Sequence, residues 1–251
     1  MKRLFNSSLW LIIIALIITS CSKDEDVQPD LDDVEFTFDA ENPPVTIPEG
    51  LQSSSDSRAL LANAFLNQAN GIIAIVSSIQ PPPGADKSST PINGRSNGRV
   101  ANTKENVSVY TWVASDGNNS VSYAYQVSET STHYVFELFL KVNNDDYIRY
   151  WHSEQSKTGK QGFLELFGDY DEGNYTLRYE WAEVAGVFHF DMITTDTEIN
   201  IISNPDHSGS LKVYENGQLE TELTWNAGGT TGTYAEYDSE GNLEESGVWP
   251  G

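Results

Sequence analysis

Hydrophobic and polar residues alternate along most of the chain after position 105, in short segments such as "VSYAYQVS" and "HYVFELFLKV". Turn-forming residues separate these segments, and Asn216-Gly217 is a strong hairpin signal. The pattern predicts about eleven or twelve sequential strands over residues 105–249, joined by short turns as an antiparallel meander. No helical pattern interrupts the strands, which argues against a parallel βαβ architecture.

A sheet of this length must curl, because an open twisted sheet leaves two exposed edges. Both faces of some strands are apolar. In "HYVFELFLKV" one face holds Tyr134, Phe136, Leu138, Leu140 and Val142, and the other holds Val135 and Phe139. One face can therefore line an interior while a second layer covers the other. The predicted fold is mainly β, with the meander curled into a barrel or half-barrel and one N-terminal amphipathic helix packed on it.

That helix is predicted over residues 57–80, where apolar positions recur at helical spacing. Its predicted apolar face consists of Leu61, Phe65, Ile72, Val76 and Ile79. Asp56 or Ser57 can cap its start, and the three prolines from position 81 must end it. Residues 81–100, rich in proline, glycine, serine and asparagine, are predicted to form a loop.

The segment before the helix, residues 21–55, is predicted to be an acidic, flexible tether. Lys23 is its single basic residue, and prolines extend it further. Within it "VEFTFD" alternates apolar and polar residues, so a short edge strand is the alternative there. One β-rich domain over residues 56–251 follows.

The N-terminus carries the features of an export signal. Lys2 and Arg3 precede an unbroken apolar run from Leu9 to Ile18. The run is shorter than the about 20 residues of a comfortable membrane span and fits the apolar region of a signal peptide. The sequence Ile18-Thr19-Ser20-Cys21 follows directly.

This four-residue sequence resembles the lipobox of bacterial lipoproteins. The resemblance implies cleavage after residue 20 and a lipid anchor (diacylglycerol and a fatty acyl chain such as palmitate) on Cys21. The next residues, Ser22, Lys23, Asp24 and Glu25, resemble the export signal of surface lipoproteins in some Gram-negative bacteria. That implies a lipid-anchored outer-membrane protein exposed at the cell surface. The periplasmic face of the outer membrane and retention at the inner membrane are the alternatives.

The charge of the chain restricts its partners. There are 37 acidic and 14 basic residues, a formal net charge of −23. Removing residues 1–20 takes away Lys2 and Arg3 and no acid, so the mature charge is 12 − 37 = −25. Such a surface argues against nucleic acid as a partner, because phosphates require neutralisation by lysine and arginine. The single cysteine also excludes an internal disulfide.

Aromatic residues in the strands are the strongest candidates for ligand contact, since tyrosine and tryptophan combine an apolar body with a polar group. Strict alternation places Tyr147, Arg149 and Trp151 on one face, with the cation between two rings. Cross-strand packing is the alternative role for all of these aromatics. The full candidate set is Tyr123, Tyr125, Tyr147, Arg149, Trp151, Tyr179 and Trp181.

The sequence offers little catalytic chemistry. There is no Gly-x-Ser-x-Gly motif, and the four histidines lack the spacing of metal ligands. We assign no catalytic residue, metal or cofactor. Glu180, beside Trp181, is the kind of acid that a glycoside hydrolase uses, and carboxylates are too numerous to exclude a catalytic pair.

One helix followed by an antiparallel meander resembles, over residues 57–249, the lipid-carrying half-barrels of bacterial lipoprotein trafficking and, more loosely, lipocalin barrels. The resemblance implies non-enzymatic binding of an apolar or amphiphilic small molecule or lipid in a cavity of the sheet. Three other functions stay open. They are a glycan-binding surface protein with exposed aromatics, a glycoside hydrolase, and a structural or adhesion module.

Overall fold

The computed structural model describes residues 30–38, 43–78, 80–92, 106–115, 120–168 and 175–250. One sheet of 13 strands dominates these residues, and the strands are arranged in sequence order. Their bounds are β1 Asp86–Ser88, β2 Val107–Ser115, β3 Ser120–Glu129, β4 His133–Val142, β5 Ile148–Ser156, β6 Gln161–Leu166, β7 Leu177–Val184, β8 Val187–Ile193, β9 Thr197–Ser203, β10 Gly209–Glu215, β11 Gln218–Trp225, β12 Thr231–Tyr237 and β13 Leu243–Pro250.

Each strand pairs antiparallel with its neighbours in sequence, so the predicted mainly β antiparallel meander is confirmed. Within the described strands β1 and β13 do not pair with each other, and the sheet stays open. Of the two predicted forms, the half-barrel is therefore the one that fits. The Asn216-Gly217 hairpin also forms, and both residues have the positive φ angles, 49° and 78°, that this tight turn requires.

The sheet has one strand that the alternation pattern missed. Strand β1 lies inside the predicted loop 81–100 and pairs with β2 through Asp86, Lys87 and Ser88. Its side chains are all exposed, so no apolar alternation marks it. Backbone pairing with β2 fixes the position of this strand, and burial of its own side chains does not contribute.

Two helices precede the sheet in the described residues, a short α1 (Glu49–Ser53) and a long α2 (Ser57–Ser77). Helix α2 confirms the predicted helix, and the Asp56 carboxylate caps its start by accepting a hydrogen bond of 2.8 Å from the Arg58 backbone N–H. No helix of the described residues combines the length and the hydropathy needed to cross a bilayer.

The buried face of α2 differs from the predicted one. It is a stripe of small residues and one leucine: Ala59, Ala62, Leu66 and Ala69. Leu61, which we predicted to be buried, is 37% exposed, and Phe65 is only partly buried. The side chains of Ile72, Val76 and Ile79 lie outside the described part. The buried face is rotated from the predicted face by one residue position, about 100° around the helix axis. The small alanine side chains let this side of the helix approach the sheet closely.

Residues 31–38 and 43–53, which the sequence assigned to the tether, pack as part of the domain. Leu31, Val45 and Leu51 are buried at 7%, 1% and 0% exposure. Phe36 and Phe38 make edge-on contacts with Trp181, with ring centroids 5.3 and 5.9 Å apart. The described domain therefore includes Leu31, and a flexible tether extending to residue 55 is wrong.

This segment follows a defined path over the sheet. A single 3₁₀ turn, Leu31–Asp33, lies at β1 and β2, where the Asp32 carboxylate accepts hydrogen bonds from Lys87 and, at 2.9 Å, from Ser108. The backbone N–H of Thr37 then donates a 2.7 Å hydrogen bond to Oε1 of Gln155 on β5. Of "VEFTFD", the structure describes residues 34–38, which are held by this side chain and do not form a strand of the sheet.

The path ends at the far side of the sheet. In α1 the Gly50 N–H donates a 3.0 Å hydrogen bond to the Gly228 carbonyl in the β11–β12 turn. At the start of α2 the Arg58 guanidinium lies over the Tyr234 ring, 3.7 Å from its centroid, and pairs with Glu236 and Glu245. Residues 31–38 and 43–70 therefore fill much of one face of the sheet, which we call the inner face. The opposite face is called the outer face.

Candidate functional site

The inner face carries an aromatic wall at one end of the sheet, made of Tyr110 and Trp112 on β2, Tyr123 and Tyr125 on β3, and Trp151 on β5. The register places Tyr110 opposite Tyr125 and Trp112 opposite Tyr123. Trp112 and Tyr123 are stacked, with centroids 5.2 Å apart and planes 5° apart. Tyr125 and Trp151 are 5.9 Å apart. The antiparallel register of β2 to β5 brings these rings onto one face.

Exposure changes along the wall. Trp112, Tyr123 and Tyr125 are half-buried, whereas Trp151 is 1% exposed. The neighbouring inner-face residues Leu140 and Ile148 are also half-buried. The wall therefore has an accessible end at Trp112 and Tyr123 and a buried end at Trp151.

Tyr179 and Trp181 extend the buried end onto β7. Both are on the inner face, at 0% and 3% exposure. Tyr179 is opposite Leu164 of β6, and Trp151 is opposite Leu166. Trp151 and Tyr179 are two strands apart and are offset by two residues along the strand direction. Standard strand spacing therefore puts their Cα atoms about 12 Å apart, so that both side chains can reach one ligand between them. Trp181, in contrast, is covered by Phe36 and Phe38.

Tyr147 and Arg149 do not join the wall, and the predicted shared face with Trp151 is wrong. A β-bulge interrupts the pairing of β4 with β5, so that Leu138 faces Trp151 and Phe139 faces Arg149. Since adjacent residues point to opposite faces, Arg149 lies on the outer face. Its guanidinium is 4.9 Å from the Phe167 ring centroid instead of between two candidate rings. Tyr147 lies near Lys141, 5.6 Å from its Nζ.

Three polar atoms of the buried aromatics have no hydrogen-bond partner: Trp151 Nε1, Tyr179 Oη and Trp181 Nε1. Two other core tryptophans show the usual arrangement. Trp225 Nε1 donates to the His207 carbonyl at 3.0 Å, and Trp249 Nε1 donates to the Thr224 carbonyl at 3.2 Å. A buried polar group without a partner costs about 1–3 kcal/mol, and such groups are rare in native proteins. This set therefore calls for an explanation.

The outer face carries a polar cluster that the sequence did not reveal. Glu137, 6% exposed, accepts a 2.7 Å hydrogen bond from Gln126 and lies 3.5 Å from both Arg149 Nη1 and His152 Nδ1. His152 Nε2 is 3.3 Å from Glu154. Glu137 lies between the apolar residues Val135 and Phe139 on its face of β4, and this was the only signal for the cluster in the sequence.

The protonation of His152 follows from its neighbours. Burial lowers its pKa, but the hydrogen bonds with Glu137 and Glu154 and the charge of Glu137 outweigh burial, and the pKa is raised. The pKa of Glu154 is lowered by its hydrogen bond with His152. The Ile92 backbone N–H donates a 2.9 Å hydrogen bond to the side-chain Oε1 of Gln126, which ties the segment after β1 to the same cluster.

Glu180, the acid considered for glycoside hydrolysis, lies on the outer face. It accepts a hydrogen bond of 2.5 Å from Arg178 Nε, and the same guanidinium pairs with Glu165. Asp191, which faces Glu180 across β7 and β8, has its pKa raised by burial and its carboxylate held by Asn200 at 2.7 Å. Glu180 is therefore part of an ion-paired ladder of outer-face side chains.

Some predicted positions are not part of this geometry. Cys21 and the export residues Ser22, Lys23, Asp24 and Glu25 lie outside the described residues. Within the described residues no three His, Cys, Asp or Glu side chains are grouped to hold a metal ion.

Comparison with known proteins assigns no family to this chain. No protein-family model matches it, and no curated protein matches it. The function is therefore argued from the site itself.

Proposed function

We propose that the domain is a non-enzymatic binding protein that takes an apolar or amphiphilic small molecule at the aromatic wall of its inner face. The observation that carries the proposal is the pair of buried, unpartnered polar atoms, Trp151 Nε1 and Tyr179 Oη, beside half-exposed aromatic rings. A ligand with an apolar body and a polar group satisfies both features. The rings give apolar contact, and the polar group supplies the missing hydrogen bonds.

The location of the site within the sheet supports the same function. The described parts of residues 31–70 already cover the inner face near β7, β8 and β12, through Phe36, Phe38, Gln68 and Arg58. A ligand therefore does not occupy a large central cavity. It enters at Trp112 and Tyr123 and reaches toward Trp151.

The proposal includes the cellular location. The lipobox resemblance at Cys21 and the residues Ser22 to Glu25 support a lipid-anchored protein of the outer membrane, exposed at the cell surface. A domain anchored at the outer-membrane surface is in contact with amphiphilic molecules of both the membrane and the medium. Labelling intact cells with a membrane-impermeant reagent tests the location, and labelling only after cell lysis would contradict surface exposure.

Glycan binding is the second candidate, and one observation favours it. Trp112 and Tyr123 are stacked and half-buried, so an outer ring face is available to a sugar. Under this function Trp112→Ala weakens binding to a glycan array, whereas Tyr179→Phe leaves it unchanged because Tyr179 is buried away from the stacked pair.

Native mass spectrometry of residues 22–251, expressed without the anchor and purified gently, tests the proposal. We expect a reproducible additional mass that organic extraction removes. To cover loss of ligand during purification, the extracted protein is then titrated with a brominated monoacylglycerol, whose bromine quenches tryptophan fluorescence on contact. An unliganded mass together with absent quenching would reject the proposal and favour the glycan-binding or structural alternatives.

A further inference from the structure

The chemistry of the buried end of the aromatic wall restricts the polar group of the ligand. The indole Nε1–H of Trp151 can only donate a hydrogen bond. The Tyr179 hydroxyl can donate or accept, and burial raises the pKa of its phenol, so it keeps its proton at neutral pH. Both side chains are more than nine-tenths buried and have no partner. The ligand must therefore present an acceptor to Trp151, and an acceptor group with a second oxygen serves Tyr179 as well.

The charge around the site restricts the ligand further. In the described strands the inner-face positions of β2 to β9 hold no lysine, arginine or histidine. Among the described residues 31–38 and 43–57, which cover this face, the charged side chains are all acidic, and Asp32 is the one that reaches β2. The described cations that lie over inner-face rings are Lys87 at Tyr110, Lys157 at Tyr134 and Arg58 at Tyr234. Each is already paired with a carboxylate, of Asp32, Glu129 and Glu236 respectively. A carboxylate taken into this site would lose its hydration without gaining a cation, which is strongly unfavourable. The net charge of −23 repels anions in addition.

From the two unpartnered polar groups and the absence of a cation among the described inner-face positions of β2 to β9 we infer that the ligand is a neutral amphiphile whose buried end carries carbonyl oxygens, such as an ester, and not a free fatty acid. This inference rests on the proposed function and specifies its ligand class. The carbonyl oxygens accept from Trp151 and Tyr179. The alkyl chain lies along Tyr125, Tyr123 and Trp112 toward the accessible end.

The test compares two probes with the same acyl chain, a monoacylglycerol and the corresponding fatty acid, in the presence of residues 22–251. Dissociation constants are measured by tryptophan fluorescence at pH 7.5, below the critical micelle concentration of each probe. We expect the monoacylglycerol to bind at least about tenfold more tightly. Equal or tighter binding of the fatty acid would overturn the inference while leaving the proposed function standing. Failure of both probes to bind would overturn both.

Conservative variants locate the hydrogen bonds. Trp151→Phe and Tyr179→Phe each remove a polar group and keep a ring, and each should weaken monoacylglycerol binding by about five- to tenfold. Trp225→Phe is the matched control, because its indole already donates to the His207 carbonyl, and it should leave the affinity unchanged. If all three variants bind as the parent protein does, the inference is wrong.

Stability in the absence of ligand separates this role from a structural one. Removing a buried donor that has no partner removes a penalty, so unliganded Tyr179→Phe should be as stable as the parent or more so. Its ligand-induced rise in Tm should nevertheless be smaller. A loss of unliganded stability together with an unchanged ligand-induced rise would identify the hydroxyl as structural and contradict the inference.

Discussion

The Trp181 indole lies against Gly162 on the neighbouring strand, so closely that a methyl group at the glycine would be 2.8 Å from indole Cη2. The same pairing of tryptophan with a cross-strand glycine recurs at Trp249 and Gly232, where a methyl group would be 2.6 Å from indole Cζ2. The glycines leave space that the large rings fill, and both rings are buried. These pairs fix the inner layer of the sheet by shape.

Gly162→Ala should therefore destabilise the domain. The added methyl group overlaps an indole that Phe36 and Phe38 hold from the other side, and overpacking of this kind costs about 1–3 kcal/mol. The free energy of unfolding is measured by urea denaturation followed by circular dichroism.

Gly71→Ala is the control for the same chemical change. A methyl group at Gly71, in helix α2, meets no atom within 4 Å. Alanine is the better helix former by about 1 kcal/mol, so this variant should be neutral or more stable. Equal stability losses at the two glycines would contradict the packing argument.

The second prediction concerns the N-terminal boundary of the domain. A chain of residues 30–251 should unfold with the same free energy as residues 22–251, whereas residues 43–251 should be less stable by several kcal/mol. The shorter chain lacks the buried Leu31 and the ring contacts of Phe36 and Phe38. Phe36→Ala in the full domain should cost about 2–3 kcal/mol, less than a fully buried phenylalanine, because Phe36 is only partly buried.

Glu35→Ala serves as the matched control in the same segment, since its side chain is exposed and its backbone carbonyl keeps the hydrogen bond from Gln155. It should change stability by less than about 0.5 kcal/mol. If residues 43–251 were as stable as the longer chains, the segment would be a tether after all.

Alternation was sufficient to predict the meander, because every long strand has one face against the core. Besides strand β1, three details of the fold could not be predicted from alternation. The helix face was misplaced because Ala59 and Ala62 are buried by close approach, which hydrophobicity does not signal. Phe36 and Phe38 alternate like a strand, but their partner Trp181 lies far along the chain. The bulge that moves Arg149 to the outer face depends on pairing with β4, and that is a tertiary property.

The candidate aromatics were chosen by residue type, and the one shared face that was predicted, that of Tyr147, Arg149 and Trp151, is wrong. In the structure Tyr123, Tyr125, Trp151 and Tyr179 lie on one face, because their registers follow from hairpin order. The unpartnered state of Trp151 and Tyr179 depends on what surrounds each polar atom in three dimensions. Trp225 and Trp249 have the same side chain and do have partners, so residue type alone does not distinguish them.

A third prediction follows from Asp32. Hydrogen bonds from Lys87 and Tyr110, more than the bond from Ser108, lower the pKa of Asp32 to about 2. A lowered pKa means that the stabilisation is present above the unfolded value, near pH 4, and is lost as the pH falls toward 2. Asp32→Asn should therefore cost about 1–2 kcal/mol at pH 7, after allowance for solvent screening, and almost nothing at pH 2.

Urea denaturation at a series of pH values measures this effect. Asp33→Asn changes the net charge equally at the adjacent exposed position, and it should shift stability by less than about 0.5 kcal/mol. If Asp32→Asn lowered the free energy of unfolding equally at pH 7 and pH 2, the charge of the Asp32 carboxylate would not be what holds the 3₁₀ turn against β1 and β2.

The fourth prediction concerns the outer-face cluster and has the opposite sign in pH. His152 has a raised pKa in the folded protein, because its hydrogen bonds with Glu137 and Glu154 outweigh burial and the repulsion by Arg149. The resulting stabilisation is complete below the unfolded value of about 6.5 and is lost as the pH rises through the folded value. The stability difference between the parent and His152→Gln should therefore be larger at pH 5.5 than at pH 8.5.

Glu154→Gln provides the matched test of cause, since it keeps the shape and removes one of the two carboxylates that face His152 at 3.3 and 3.5 Å. The other groups near the ring, Arg149, Phe163 and the cross-strand residue Glu165, stay in place. In this variant the pH dependence due to His152 should shrink but not disappear, because Glu137 remains. NMR titration of the His152 ring should show the same lowering of its pKa. An unchanged titration curve would mean that Glu154 does not stabilise the imidazolium, and the fall in stability above neutral pH would then need another origin.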